Sequence, residues 1–525
     1  MSSSEPIKGH HNPFKKRRRK KRLRLEDITV IDHATLKRAV AAAALGNAME
    51  WFDFGVYSYI AVVLGQVFFP GSSGTVQLLA TFGAFAVAFL IRPVGGLFFG
   101  PLGDKVGRQK ILAITMIMMA ISTFCIGLIP SYSTIGVWAP VLLLLARLVQ
   151  GFSTGGEYGG AATFIAEYSP DRKRGFMGSW LEFGTTSGYL LGAAIVTILS
   201  SALTHEQLLD WGWRIPFYVA GPLGLIGLYL RMKLEETPAF QEQAEQAEQQ
   251  QQPTPKNEFV NMVTGHWKPL LVCIGLVLVF NVTDYMLLSY MPSYLSANLH
   301  YDSDHGLFLI LIVMVVMLFM QPIVGRLSDK FGRKPVILTG CIASIVLAIP
   351  CLMLIQTGST PLILIGLVIM GLILNSFTGS MPSTLPALFP TAIRYGALAV
   401  AFNVSVSLFG GTTPLVTAWL VDASGNLDMP AYYLMLAAVI GAITILCTPE
   451  TASKPLKGST PSATDKDEAK ELLADYHDTL EEEVEHLDAE IKRMTERRDN
   501  LIYEHPELYK QQQEEIRQEN DNTPS

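Results

Sequence analysis

The chain has 525 residues, 50% of them hydrophobic and only 16% charged, with a mean hydropathy of +0.31. A soluble domain carries about 25% charged residues, so this composition argues against one. The net charge of −6 averages a basic head, a nearly neutral body and an acidic tail, and so excludes nothing by itself.

Taken from the N-terminus, residues 1–37 form a basic tail containing KKRRRKKRLR at 15–24. Beside a membrane span this stretch reads as an orientation determinant or a contact for anionic lipid; a nucleic-acid patch or import signal is the other reading. The first apolar run begins after ~35 residues and is too long for a leader core, so no cleaved signal peptide is expected. A helix needs about 20 apolar residues to cross the hydrocarbon core, which predicts about twelve spans. Six fall near 38–66, 77–99, 111–129, 138–166, 176–200 and 214–232, within an N-terminal bundle at 38–232. Six more fall near 269–295, 306–325, 336–356, 361–388, 396–420 and 431–448, within a C-terminal bundle at 269–450. The predicted cytoplasmic linker at 233–268 contains QEQAEQAEQQQQPTPK (241–256), which has too little apolar surface to fold alone. Residues 451–525 form a polar tail. The expected fold is an all-α membrane protein, twelve transmembrane helices in two six-helix bundles, ending in a cytoplasmic coiled-coil helix.

The segment GPLGDKVGRQK at 100–110 returns as GRLSDKFGRKP at 325–335, so that Gly100, Asp104 and Arg108 recur as Gly325, Asp329 and Arg333. A duplicated charged turn after an apolar run implies two homologous halves, the construction of secondary transporters that move small solutes. These six residues are the candidate gating turns. Their glycines allow close helix approach, and Asp104 and Asp329 are expected to pair with Arg across the cytoplasmic face as the halves rock. Simple solvated loops are the plainer reading. Orientation follows from Lys and Arg, which crowd the head, the repeated turns, DRKRG (171–175), the linker, Arg394 and the tail. The opposite loops carry only Arg214, so both termini are expected in the cytoplasm.

An ionisable residue at the bilayer centre costs ~2.5–3.5 kcal/mol on insertion scales, so each needs a reason. Glu50 and Asp53 lie three apart, on one helix face, with Arg92, Arg147, Glu157, Glu182 and Asp284 in later spans. None of the ten histidines falls well inside a predicted span, which leaves carboxylates to carry protons. Asp53 and Glu50 are the first candidates and Glu157 the third, with Arg92 and Arg147 as counter-charges or partners for a substrate carboxylate. Structural salt bridges that merely fasten helices are the alternative. Trp51, Tyr57 and Tyr285 lead a set of aromatics suited to a quaternary ammonium, although packing or interfacial belting accounts for such rings equally well. Asn47, Asn281 and Asn403 are further donors for a carboxylate. Five cysteines without metal-like spacing, and the lack of a nucleophile–base set or P-loop, lead us to expect no cofactor, no metal and no enzyme.

More motifs accompany the repeated turn: LGNAMEWFDFGVY (45–57), RLVQGFSTGGEYGGA (147–161), EYSPDRKRGFMGSW (167–180), DWGWRIPF (210–217), LEETPAF (234–240), FPTAIRYG (389–396) and PETASKPLKG (449–458). With two six-helix halves, this set resembles the major facilitator superfamily and, within it, the metabolite:proton symporters, along essentially the whole chain. The resemblance is strongest to osmosensory members. It implies proton-coupled import of zwitterionic osmolytes such as proline and glycine betaine, activated by high osmolality, in a multi-pass protein of the bacterial inner membrane. A proton symporter for organic acids such as 2-oxoglutarate shares the body motifs, and a non-transporting membrane osmosensor would account for the tail alone. Asp284 departs from the uncharged residue expected at that position.

The tail shows alternating 4-3 spacing. Leu473, Leu480, Leu487, Met494 and Leu501 occupy one seam position, and His477, Val484, Ile491 and Arg498 the other. This predicts a two-stranded coiled coil near 470–505, most simply with a second copy of the chain, in place of a lone amphipathic surface helix.

Overall fold

A computed structural model describes residues 24–232 and 265–510, apart from 26, 27, 32, 107, 156, 302, 392, 508 and 509. Among helical side chains, those at 33, 35, 39, 42, 100–113, 227–232, 303, 304 and 476–487 lie outside the description. The chain forms two compact units, Ile31–Ser462 and a second made of Met1–Val30 with Ala463–Ser525.

The larger unit is helical, as lipid demands of a backbone that must satisfy its own hydrogen bonds. α1 (His33–Tyr59) and α2 (Ala61–Phe68) are one apolar run that bends by 63° at Ile60. α3 (Gly74–Leu90) starts where the Ser73 side chain accepts the Val76 N–H, and α4 (Arg92–Val106) extends its apolar span to Phe99. α5 (Arg108–Leu128), a short α6 (Tyr132–Ile135), α7 (Trp138–Ser153) and α8 (Glu157–Tyr168) precede the long α9 (Arg174–Ala202). A reciprocal Thr204–Gln207 capping box opens α10 (His205–Asp210), and α11 (Ile215–Met232) follows. Beyond the linker come α12 (Trp267–Asp284), α13 (Ser303–Phe331), α14 (Arg333–Gln356) and α15 (Thr360–Thr378). α16 (Met381–Ala387), α17 (Arg394–Ser405), α18 (Thr413–Ser424) and α19 (Met429–Leu446) complete the unit. π-helical turns continue α12 at Tyr285–Tyr290 and α17 at Val406–Gly410; such turns are common where helices line functional sites.

Among the described residues, eight helices are long and apolar enough to cross a membrane, or nine if the bent α1–α2 pair is one span. The expected span at 138–166 is two helices, α7 and α8, and that at 111–129 falls on α5. Small residues set the helix spacing. α9 lies so close to α1 that a Cβ on Gly184 or Gly188 would come within 2.1 Å of the Ala44 or Ala48 carbonyl oxygen.

The last stretch of this unit, 450–462, is a strap laid over helix ends from both halves of the sequence. Glu450 accepts the backbone N–H groups of Arg333 and Lys334, each at 3.0 Å, and those of Thr451 and Ala452, each at 2.8 Å. Burial alone would raise the Glu450 carboxyl, but these four donors outweigh it and hold the group below the usual carboxylate range. Arg174 donates to the Lys454 carbonyl and Arg394 to the Lys457 carbonyl, both at 2.9 Å. Leu456 is buried against Ala166 and Ala387. Ser462 closes the strap, its N–H bonded to Asp171 (3.1 Å) and its hydroxyl to the Ser169 carbonyl (3.0 Å).

The second unit is built on α20 (Lys466–Glu504). Asp465 caps it by accepting the N–H groups of Asp467 and Glu468, while Glu468 reaches back to the Thr464 N–H at 2.7 Å. Ile28 forms a small core with Ala463 and Ala469, and Leu472 and Leu473 pack on it. Leu473, expected in the coiled-coil seam, is therefore already covered in part by its own chain. Ile491, Met494 and Leu501 are 58%, 66% and 51% exposed, an apolar stripe facing outward on a single helix. Arg498 bonds its neighbour Asp499 on the same helix. Leu480, Val484 and Leu487, also placed in the seam, lie outside the described side chains.

Candidate functional site

The buried charges form two groups inside the larger unit. In the first, Arg92 at the start of α4 donates to Glu50 of α1 at 2.7 Å, both side chains almost fully buried. The Arg92 guanidinium also lies 4.5 Å from the Phe89 ring centroid and 4.8 Å from that of Phe54. Such cation–π contacts lower the cost of desolvating the cation. Arg147 of α7 sits 4.0 Å over Tyr57, whose hydroxyl donates to the Thr81 carbonyl at 3.1 Å. One Arg147 nitrogen bonds Gln150; Nε and Nη2 are buried with no hydrogen-bond partner among the described residues. Gln150 Nε2 donates to the Thr123 hydroxyl (2.9 Å), which donates to Asp53 Oδ2 (2.8 Å). Asp53 is thus linked to Arg147 through two neutral side chains, while Glu50 has a cation to itself.

The second group meets across α1, α8, α9 and α12. Trp51 lies 5.5 Å from Tyr189 and 5.8 Å from Tyr285, ring centroid to centroid, so that the three rings form one buried aromatic cluster. Asn47 holds the indole in place: its side-chain oxygen accepts the Trp51 N–H at 3.2 Å, and its amide donates to the Leu181 carbonyl at 3.1 Å. The Tyr158 hydroxyl donates to Glu182 at 2.6 Å, and the Tyr158 ring stacks on Phe402 with centroids 3.9 Å apart. Asp284 ends α12, buried, and interacts electrostatically with Glu182.

The structure therefore brings Glu50 to Arg92, Asp53 toward Arg147 and Trp51 to Tyr285. It sets Tyr57 apart from the Trp51 cluster, against Arg147. Glu157 is buried at the first turn of α8, and the Asp53–Thr123–Gln150–Arg147 series forms without it. The three asparagines proposed as carboxylate donors are engaged in helix contacts. Asn47 bonds α9, Asn281 bonds Val277 of its own helix at 2.8 Å, and Asn403 bonds the Gly155 and Ala399 carbonyls. Glu182, Tyr189, Thr123 and Gln150 were not singled out as site residues. Glu182 and Tyr189, seven apart in α9 and so on one face, carried a legible signal.

Of the gating turns, Gly100, Asp104 and Arg108 lie outside the described side chains. In the second copy Asp329 bonds backbone, not an arginine side chain. It accepts the N–H groups of Gly175 (2.7 Å) and Phe176 (2.8 Å) at the positive N-terminal end of α9. A Cβ on Gly175 would lie 2.4 Å from the Ser328 hydroxyl, so only glycine admits this approach, and one on Gly325 would lie 2.7 Å from the Ser179 hydroxyl. Arg333 instead donates to the Ser383 carbonyl and Thr451, both at 3.0 Å.

Residues 39–461 match the family model described as sugar (and other) transporter, and residues 464–509 match the osmosensory transporter coiled coil. The chain is 58% identical over 497 residues to the proline/betaine transporter of Salmonella typhimurium strain LT2, covering 94% of this chain and 99% of that one. It has the same identity and coverage with the glycine betaine/proline/ectoine/pipecolic acid transporter OusA of Dickeya dadantii. Among solved structures, the proton:xylose symporter XylE superposes with a TM-score of 0.66 at 20% identity, over 84% of this chain and 99% of that one, a likeness of fold. The chain belongs to the sugar (and other) transporter family of the major facilitator superfamily, as a multi-pass membrane protein closely related to bacterial proline/betaine transporters.

Proposed function

We propose that the chain is a proton-coupled symporter that imports zwitterionic osmolytes, proline and glycine betaine among them, across the bacterial inner membrane in response to high osmolality. The observation that carries this reading is a buried aromatic cluster within one membrane unit that also buries Asp53 and the Arg147 donors. Rings suit an onium group and guanidinium donors suit a carboxylate. Asp53, with Glu50 and Glu157 behind it, carries the proton. The fold is twelve spans in two six-helix bundles, 38–232 and 269–450, joined by the 233–268 linker, with both termini cytoplasmic. The basic tail at 1–37 contacts anionic lipid. Gly325, Asp329 and Arg333 act as one gating turn, and Gly100, Asp104 and Arg108 as the other.

Uptake of labelled glycine betaine and 2-oxoglutarate into vesicles, with and without a protonophore, tests the reading. Betaine should accumulate uphill and the gradient should collapse with the protonophore. Accumulation that survives loss of the proton gradient would sink symport, and accumulation of 2-oxoglutarate alone would favour the organic-acid reading.

The exposed stripe of Ile491, Met494 and Leu501 supports a coiled coil with a second copy of the chain. Ile491→Asp puts a charge into that seam without a partner, which is costly on burial. Crosslinking between tails should vanish and the osmolality threshold should shift, while transport persists. An unchanged activation curve after removal of residues 460–525 would show that the tail is not the regulator.

A further inference from the structure

We propose that Asp284 and Glu182 form the anionic end of a solute site that, with Trp51, Tyr189 and Tyr285, takes the onium group of the solute. This rests on the transport reading above and assigns the direction in which the zwitterion lies.

Both carboxyl groups are nearly fully buried, at 4% and 1% exposure, and come from opposite halves of the sequence. Among the described residues neither pairs with a lysine or arginine. The hydrogen-bond partner of Glu182 on α8 is a tyrosine hydroxyl, and the charged group that acts on Asp284 is Glu182 itself. Two like charges brought out of water are costly unless a proton or a cation joins them. The Tyr285 hydroxyl is an independent pointer to a ligand. It is fully buried with no hydrogen-bond partner, yet interacts electrostatically with Asp284 and Glu182 as well as with Arg92 and Glu50. It thus feels both the acidic pair and the Arg92–Glu50 ion pair.

The aromatic cluster has the same polarity. Trp51 lies 5.8 Å from the Arg92 guanidinium and 5.8 Å from the Tyr285 ring. A solute in contact with Trp51 and Tyr285 therefore has the Arg92–Glu50 ion pair and the unbonded Arg147 nitrogens on one side, and on the other the carboxyl groups of Asp284 and Glu182, which have no arginine or lysine among the described residues. Its carboxylate is drawn one way and its onium group the other. A quaternary ammonium that lacks a carboxylate should still occupy the acidic end.

Tetramethylammonium is the probe, applied to the purified full-length protein and to Asp284→Asn, an isosteric change that removes the charge. Tetramethylammonium should raise the thermal unfolding temperature of the unaltered protein and should not raise that of Asp284→Asn. In vesicles it should inhibit glycine betaine uptake competitively. Asp284→Asn should raise the KM for betaine about tenfold, the scale of one desolvated cation contact, with a smaller effect on kcat. If Asp284→Asn does not fold, Glu182→Gln is read by the same measurements. Absence of stabilisation by tetramethylammonium, or stabilisation equal in protein and variant, overturns the assignment. Stabilisation lost in the variant, in a protein that does not import betaine, keeps the cation site and removes the transport reading.

Discussion

Replacing Arg92 by leucine should destabilise the folded protein by ~3–5 kcal/mol, the usual cost of leaving one partner of a buried ion pair alone. Glu50 and Arg92 meet at 2.7 Å with side chains 2% and 1% exposed, so water cannot take over the lost contact. The guanidinium also covers the faces of Phe89 and Phe54, and leucine fills that volume without its charge. The double variant Glu50→Leu/Arg92→Leu removes both ions and should recover most of the loss, because an apolar pair in such a place is often neutral or better. Thermal unfolding in detergent of the protein, the single variant and the double variant decides this. A single variant as stable as the double would show that the pair is not a structural necessity.

Asp53→Asn should abolish proton-driven accumulation while leaving exchange of labelled for unlabelled solute across the membrane. The amide has nearly the shape of the carboxylate and can keep the 2.8 Å contact with Thr123, so folding should survive. What it loses is the ability to bind and release a proton at the end of the Thr123–Gln150–Arg147 series. Accumulation should fall to the level set by solute equilibration, and counterflow should continue. Full proton-coupled accumulation in this variant would move the role to Glu50 or Glu157.

Much of the architecture was legible because lipid imposes a simple rule on composition, and the observed spans begin and end near the apolar runs. The breaks were less so. The expected span at 138–166 contains the Gly155–Gly156 pair, a strong helix breaker, but hydropathy averages across it. The site was legible as a set of residue types and not as a set of contacts. Spacing put Glu50 and Asp53 on one face of α1, yet their partners come from α4 and α5, and nothing in a sequence says which helices face each other. The asparagines illustrate the converse. Their chemistry suited a substrate carboxylate, but an amide buried between helices is first taken up by backbone carbonyls. Asp329 likewise fitted an arginine by charge, and the structure gives it a helix terminus, which presents the same positive potential through N–H groups.

The strap at 450–462 gives the protein a built-in reporter of its own cycle. Alternating access requires the helix ends beneath it to separate, and it is sewn to both sets of them. The Thr391 amide is held by the Lys457 carbonyl at 3.0 Å and the Ser462 amide by Asp171, so neither can meet solvent while the strap lies flat. Deuterium uptake at these two amides should then keep time with the opening of that face, with no dye or ligand attached.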